Sequence, residues 1–152
     1  MRNLIIVAIL ASGLSMCATA QKKAPDQVLK AFNGKYTSAS AVKWDHESAN
    51  EWEAEFKMNG KEMSAAYDNS GKWLETETEI SARDLPSSVT ETLAREYPGY
   101  KKGEIAIVEN PEMKGFEIVL KKGESAVEVV VDSNGKILKK EQLNSEKDED
   151  ND

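Results

Sequence analysis

Two halves of this chain carry one pattern, set about 64 residues apart, and that repetition limits the fold more than any other feature. Trp52-Glu53-Ala54-Glu55-Phe56 is matched by Phe116-Glu117-Ile118-Val119-Leu120. Tyr67-Asp68-Asn69-Ser70-Gly71-Lys72-Trp73-Leu74 is matched by Val131-Asp132-Ser133-Asn134-Gly135-Lys136-Ile137-Leu138, and Tyr36 by Tyr100. What recurs is a set of structural positions: alternating strands, Asp-x-x-Gly turns and the aromatic end of a helix. No set of reactive groups recurs. A sequence of this kind specifies two similar supersecondary units.

Each unit opens with a helix pattern. Pro25 and Asp26 sit where a helix starts, Val28, Leu29, Ala31 and Phe32 make one apolar face, and Asn33-Gly34 reads as the stop. In the second unit Leu85-Pro86-Ser87-Ser88 leads into Val89, Leu93 and Tyr97 at fourfold spacing, closed by Pro98-Gly99. Period-two strands follow. Trp52, Ala54, Phe56 and Met58 alternate with Glu51, Glu53, Glu55 and Lys57, and Met63, Ala65 and Tyr67 with Glu62, Ser64 and Ala66. Phe116, Ile118 and Leu120, then Val127, Val129 and Val131, repeat the arrangement. Shorter strands are expected before these, at Ala41 to His46 and at Glu104 to Val108.

Turn chemistry links the strands. Asn59-Gly60 is a strong two-residue hairpin signal and Lys122-Gly123 holds a similar place. Asp68-Asn69-Ser70-Gly71 and Asp132-Ser133-Asn134-Gly135 put Asp first and Gly last, as type I turns prefer. Asp68 and Asp132 are therefore read as turn caps and not as metal ligands. The fold class is α+β: a helix followed by a four-stranded antiparallel meander, twice over, with residues 21–80 and 81–143 as the two repeats. One sheet face packs on the helices and the charged face meets solvent. The sequence does not fix how the two sheets join.

Residues 1–20 read as a secretory signal peptide. Arg2 gives the positive start, an apolar run extends from Leu4 to about Leu14, and Ala18-Thr19-Ala20 is a cleavage site. That run is shorter than the roughly 20 residues a membrane span requires. Leu14-Ser15-Met16-Cys17 approaches a bacterial lipobox, but Met16 stands where a small residue is usual, so loss of Cys17 with the leader is favoured over a lipid anchor. Residues 144–152 form an acidic tail without apolar side chains, the composition of a disordered segment.

The net charge of −7 becomes −8 once the leader, which holds only Arg2, is removed. An acidic chain without a basic stripe argues against nucleic acid as a partner and against attachment to anionic membranes. No catalytic constellation stands out. His46 is the only histidine, the sequence has no Gly-x-Ser-x-Gly elbow and no phosphate loop, and Glu51, Glu53 and Glu55 read as the wet face of a strand. No cofactor or metal site is expected. The aromatic residues Trp44, Trp52, Phe56, Tyr67 and Trp73 gather in the first unit, most of them as core. Trp44 and Trp73 lie on the least regular strands, and with Glu51, Glu53 and Glu55 they form the candidate partner-binding face.

Phe32, Tyr36, Val42-Lys43-Trp44, Trp52 to Phe56, Gly60, Tyr67-Asp68 with Gly71, Leu85-Pro86, Val89, Tyr97-Pro98-Gly99 and Asp132 with Gly135 together resemble the secreted bacterial family called PepSY-like, or beta-lactamase-inhibitor-like. The resemblance spans about Val28 to Lys140. Thr37 departs from it, since the family often has Pro after this tyrosine. It implies tandem helix-plus-sheet units and a periplasmic or cell-surface location, and it brings no catalytic motif. The function expected is a non-enzymatic binding or inhibitor-like module that presents a sheet face to an envelope protein or peptide. The alternative is an envelope sensor or a protein that binds a small ligand or cation.

Overall fold

The computed structural model describes residues 23–143. The residues read as a leader, Cys17 among them, and those read as an acidic tail lie outside the described residues. Helix α1 runs Asp26–Lys35, followed by strands β1 (Ser40–Ser48), β2 (Glu51–Met58), β3 (Lys61–Asp68) and β4 (Trp73–Glu79). A short 3₁₀ turn, Ala82–Asp84, leads to α2 (Ser87–Glu96) and then to β5 (Lys101–Glu109), β6 (Lys114–Lys122), β7 (Ser125–Val131) and β8 (Ile137–Leu143). The eight strands form one antiparallel sheet in sequence order. The joint is direct: β4 lies beside β5, with Thr76 opposite Glu109 and Glu79 opposite Ala106.

The helices form where proline fixes the entry and apolar residues recur every fourth position. Pro25 precedes α1, and Val28 and Phe32 are buried with Tyr36 just past its end. Asn33-Gly34 does not stop this helix. The chain leaves at Tyr36, whose N–H still bonds Phe32 O at 2.8 Å and whose ring packs 4.7 Å from Phe56. Core contact decides the end, over the local turn preference of Asn-Gly. Tyr97 takes the same place after α2, its N–H on Leu93 O. Tyr97 is thus the counterpart of Tyr36, and the match to Tyr100 is corrected.

Two apolar clusters lie under the helices. Val28 and Phe32 meet Trp52, Ala54, Phe56, Ala65 and Tyr67. Val89, Leu93 and Tyr97 meet Ile105, Ile118, Leu120, Val127, Val129 and Val131. Full burial of one such side chain contributes about 1.5–3 kcal/mol. Each helix is also tied to an Asp-x-x-Gly turn: Gln27 donates to Asn69 O (2.8 Å), Ser88 to Ser133 O (2.7 Å) and Thr92 to Gly135 O (2.8 Å). The turns are closed by their aspartates. Asp68 Oδ1 accepts from the Ser70 and Lys72 backbone, and Asp132 Oδ1 from Asn134 and Lys136, so each carboxylate is occupied by its own loop.

β1 and β5 are nine residues each, longer than the alternation suggests. Bulges explain the difference. Register shifts fall between Ser40 and Lys43, between His46 and Ser48, and between Lys102 and Ile105, breaking the period of two inside continuous strands. Asn59 and Gly60 both have positive φ, as a primed hairpin requires. The β6–β7 turn is shifted one residue on from Lys122-Gly123, because Lys122 ends the strand and Gly123, at φ +59°, opens the turn.

Candidate docking groove

The sheet face turned away from the helices does not lie open to solvent as expected. It curves into a groove of about 560 Å³. Register places its side chains in two rows across the strands. One row runs Lys43, Glu55, Ser64, Glu77, Val108, Gly115 from β1 to β6. The other runs Glu79, Ala106, Glu117, Val130, Lys139 from β4 to β8. Small residues (Ser64, Ala106) separate the long ones and leave the hollow, while the space over Gly115 is taken by Val130. Beside it lies a smaller hollow lined by Glu47, Glu51, Glu53, Glu75 and Glu77.

Curvature buries carboxyls that a flat sheet would leave wet. Glu117 is 4% exposed, Glu128 1% and Glu75 5%, while Val108 and Val130 on the same face are fully buried. Glu75 is held by Asn110 Nδ2 at 2.9 Å. Glu128 Oε1 accepts from Lys139 at 3.2 Å, and Lys139 also reaches Glu141 at 3.0 Å. Two like charges 4 Å apart repel by about 4 kcal/mol near a protein surface, so crowding of this kind favours protonation. Burial, then Glu47, Glu55 and Asp45, raise Glu53 to about 7 against the pull of Ser64. Burial, then Glu75 and Glu53, raise Glu77 to about 8. Burial, then Glu77, Glu128 and Glu75, raise Glu117 to about 10, with Lys139 opposing. Burial raises Glu128 as well.

The five residues expected to make one face are split between two. Glu53 and Glu55 line the groove and Glu51 the hollow beside it. Trp44 and Trp73 belong to the helix side, packed against the cluster under α1. Trp44 is opposite Ala54, with its ring 5.2 Å from Phe32. Trp73 is opposite Tyr67 and is capped by Lys35, whose Nζ sits 3.2 Å from the ring centroid. Strand alternation makes the separation unavoidable, since the helix-side register of β2 is its even positions and the glutamates are odd. His46 also falls on the helix side, opposite Trp52 and 4.5 Å from its ring, apart from Asp45 and Glu53 on the groove side. Among the described residues no three His, Cys, Asp or Glu side chains are placed to hold a metal ion, and no described helix is long and apolar enough to cross a membrane.

Glu75, Glu77, Glu117 and Glu128 were not singled out by sequence reasoning. The available signal was apolar residues on the supposedly wet face: Val119 and Val130 occupy the same side of β6 and β7 as Glu117 and Glu128. A solvent-facing register carrying valines is one that curvature covers.

The architecture is an α+β protein with two helices on one side of a single curved antiparallel sheet. The chain belongs to the family described as "Putative beta-lactamase-inhibitor-like, PepSY-like", whose model matches residues 50–139. In structure it is similar to a BLIP-like protein from Bacteroides fragilis, at 22% identity and a TM-score of 0.72, covering 85% of this chain and 93% of that one. It is also similar to a "putative periplasmic" protein from Bacteroides eggerthii, at 20% identity and a TM-score of 0.71, covering 80% and 91%. At these identities the likeness is one of fold. No curated protein matches the sequence.

Proposed function

We propose that this protein is a non-enzymatic, exported binding module of the cell envelope, and that its docking surface is the groove on the helix-free face of the sheet. The observation that carries the reading is the groove itself: an open concavity of about 560 Å³ on the sheet, lined by seven glutamates and two lysines. A leader-like N-terminus, membership of the family and the fold shared with a protein described as "putative periplasmic" support the location. The two helix-plus-four-strand units, residues 21–80 and 81–143, are read as a tandem duplication whose fused sheets create the concavity.

Charge complementarity selects a basic protein or peptide segment as occupant. A lysine or arginine side chain among Glu53, Glu77 and Glu117 favours their ionised forms, so binding strengthens as pH rises through about 7 and 8. Titration of an arginine-rich peptide into isotopically labelled protein tests this. Shift changes are expected on the groove-side residues of β2, β4 and β6, weakening with salt, and none with a glutamate-rich peptide. Glu55→Lys with Glu79→Lys is expected to abolish them. Binding mapped to the helix side, or unchanged in that double variant, rejects the groove.

A further inference from the structure

Buried hydrogen-bonding atoms in folded proteins nearly always have partners. Glu128 Oε2 is buried and has no amide, ammonium or hydroxyl donor. Its sister oxygen is already engaged by Lys139, which divides itself between Glu128 and Glu141. The acidic neighbour of Glu128 on the adjacent strand is Glu117, whose hydrogen bonding pulls Glu128 down against the rise that burial imposes. Register agrees: Glu117 is opposite Val130 and Glu128 opposite Val119, so the two acids are diagonal neighbours on one sheet face. Two ionised carboxylates cannot hydrogen bond, because each only accepts. One of them must bring a hydrogen.

We infer that Glu117 and Glu128 share a single proton at neutral pH, with the Glu117 carboxyl donating to the otherwise unpartnered Oε2 of Glu128. The pair then carries one negative charge in place of two, and Lys139 balances it. The surroundings favour this assignment of the proton. Glu117 faces Glu77 and Glu75 from β4, while Glu128 has the ammonium of Lys139 from β8 against it. β5 contributes Ala106 and Val108 opposite this part of the sheet and, at the groove, Glu104, which acts on Glu77; β8 adds Glu141 beside Lys139. The acid with anionic neighbours keeps the proton, and the acid with the cationic neighbour gives it up. Burial and like-charge crowding push Glu117 up to about 10 in keeping with that order. Because Glu117 also lines the groove, the pair is a proton store in its floor, held until the medium turns alkaline.

Side-chain carbon NMR of the full chain with labelled glutamates tests the pair without any ligand. Glu117 Cδ is expected at its protonated position at pH 7, moving to the ionised position only in the alkaline range. Glu128→Gln removes the neighbouring anion and is expected to lower the Glu117 midpoint by about one pH unit or more. Glu117→Gln keeps an N–H donor for Oε2 and is expected to leave the fold intact with Glu128 still ionised at pH 7, since one neutral donor replaces another. An ionised Glu117 at pH 7 in the unaltered protein overturns the inference, as does a midpoint indifferent to Glu128→Gln. Should either variant fail to fold, the resonance of the unaltered protein decides alone. Loss of peptide binding in the groove would leave this result untouched.

Discussion

Gly71 and Gly135 show how single residues set the distance between helix and sheet. Both have positive φ, +83° and +85°, which a side chain adopts at a cost of about 1–2 kcal/mol. Both also lie hard against a helix start: a Cβ at Gly71 would come within 2.6 Å of Gln27 O, and one at Gly135 within 2.6 Å of Ser88 O. Backbone carbonyls cannot swing aside as a flexible side chain does. Gly60, at φ +76°, has open space around it. Gly71→Ala and Gly135→Ala are accordingly expected to lose about 3 kcal/mol or more, strain and overpacking together, and Gly60→Ala about 1. Urea unfolding midpoints measure the difference. Equal losses at all three positions would mean that the left-handed backbone alone matters and the close approach does not.

At the scale of elements, the helices are held by few but deep contacts. Phe32 stands between Trp44, Phe56 and Tyr67, with ring centroids at 5.2, 5.0 and 6.5 Å, each pair near edge-to-face. Phe32→Ala is expected to destabilise the protein by about 3–5 kcal/mol, and Leu93→Ala, on the buried face of α2, by about 2–5. Chemical denaturation checks both. A loss below 1 kcal/mol at Phe32 would show that α1 is not docked as described. These elements were legible because their signals are local. Fourfold spacing of Val89, Leu93 and Tyr97 marks a helix whatever surrounds it, and Asn59-Gly60 dictates its own turn. The bulges in β1 and β5 were not legible, since an inserted residue such as Ala41, at φ +53°, has no side-chain signature. Nor was the split between Trp44 or Trp73 and the glutamates. Across the bulges the sequence alternates poorly, and the side of the sheet is decided by the partner strand.

The shape of the whole molecule makes stability a function of pH, because only the curved eight-stranded sheet brings distant glutamates together. Glu53, Glu77 and Glu117 come from β2, β4 and β6, and their folded values of about 7, 8 and 10 all exceed the ordinary 4.5. A raised carboxyl binds its proton more tightly folded than unfolded. Between 4.5 and each folded value the folded chain therefore holds the extra proton, and stability falls as pH rises through that window. Each group contributes a slope of up to about 1.4 kcal/mol per pH unit, and the general repulsion in a chain of net charge −7 acts in the same direction. Asp68 is depressed by its turn donors and opposes only in the acid, below its ordinary 3.8. The urea midpoint is thus expected to be highest near pH 5 and to fall steadily toward pH 9. Glu77→Gln with Glu117→Gln is expected to flatten that fall, since amides keep the shape and cannot ionise. A midpoint level or rising from pH 5 to pH 9 in the unaltered protein would show that these carboxyls are solvated, and that the sheet is flatter in solution than the groove requires.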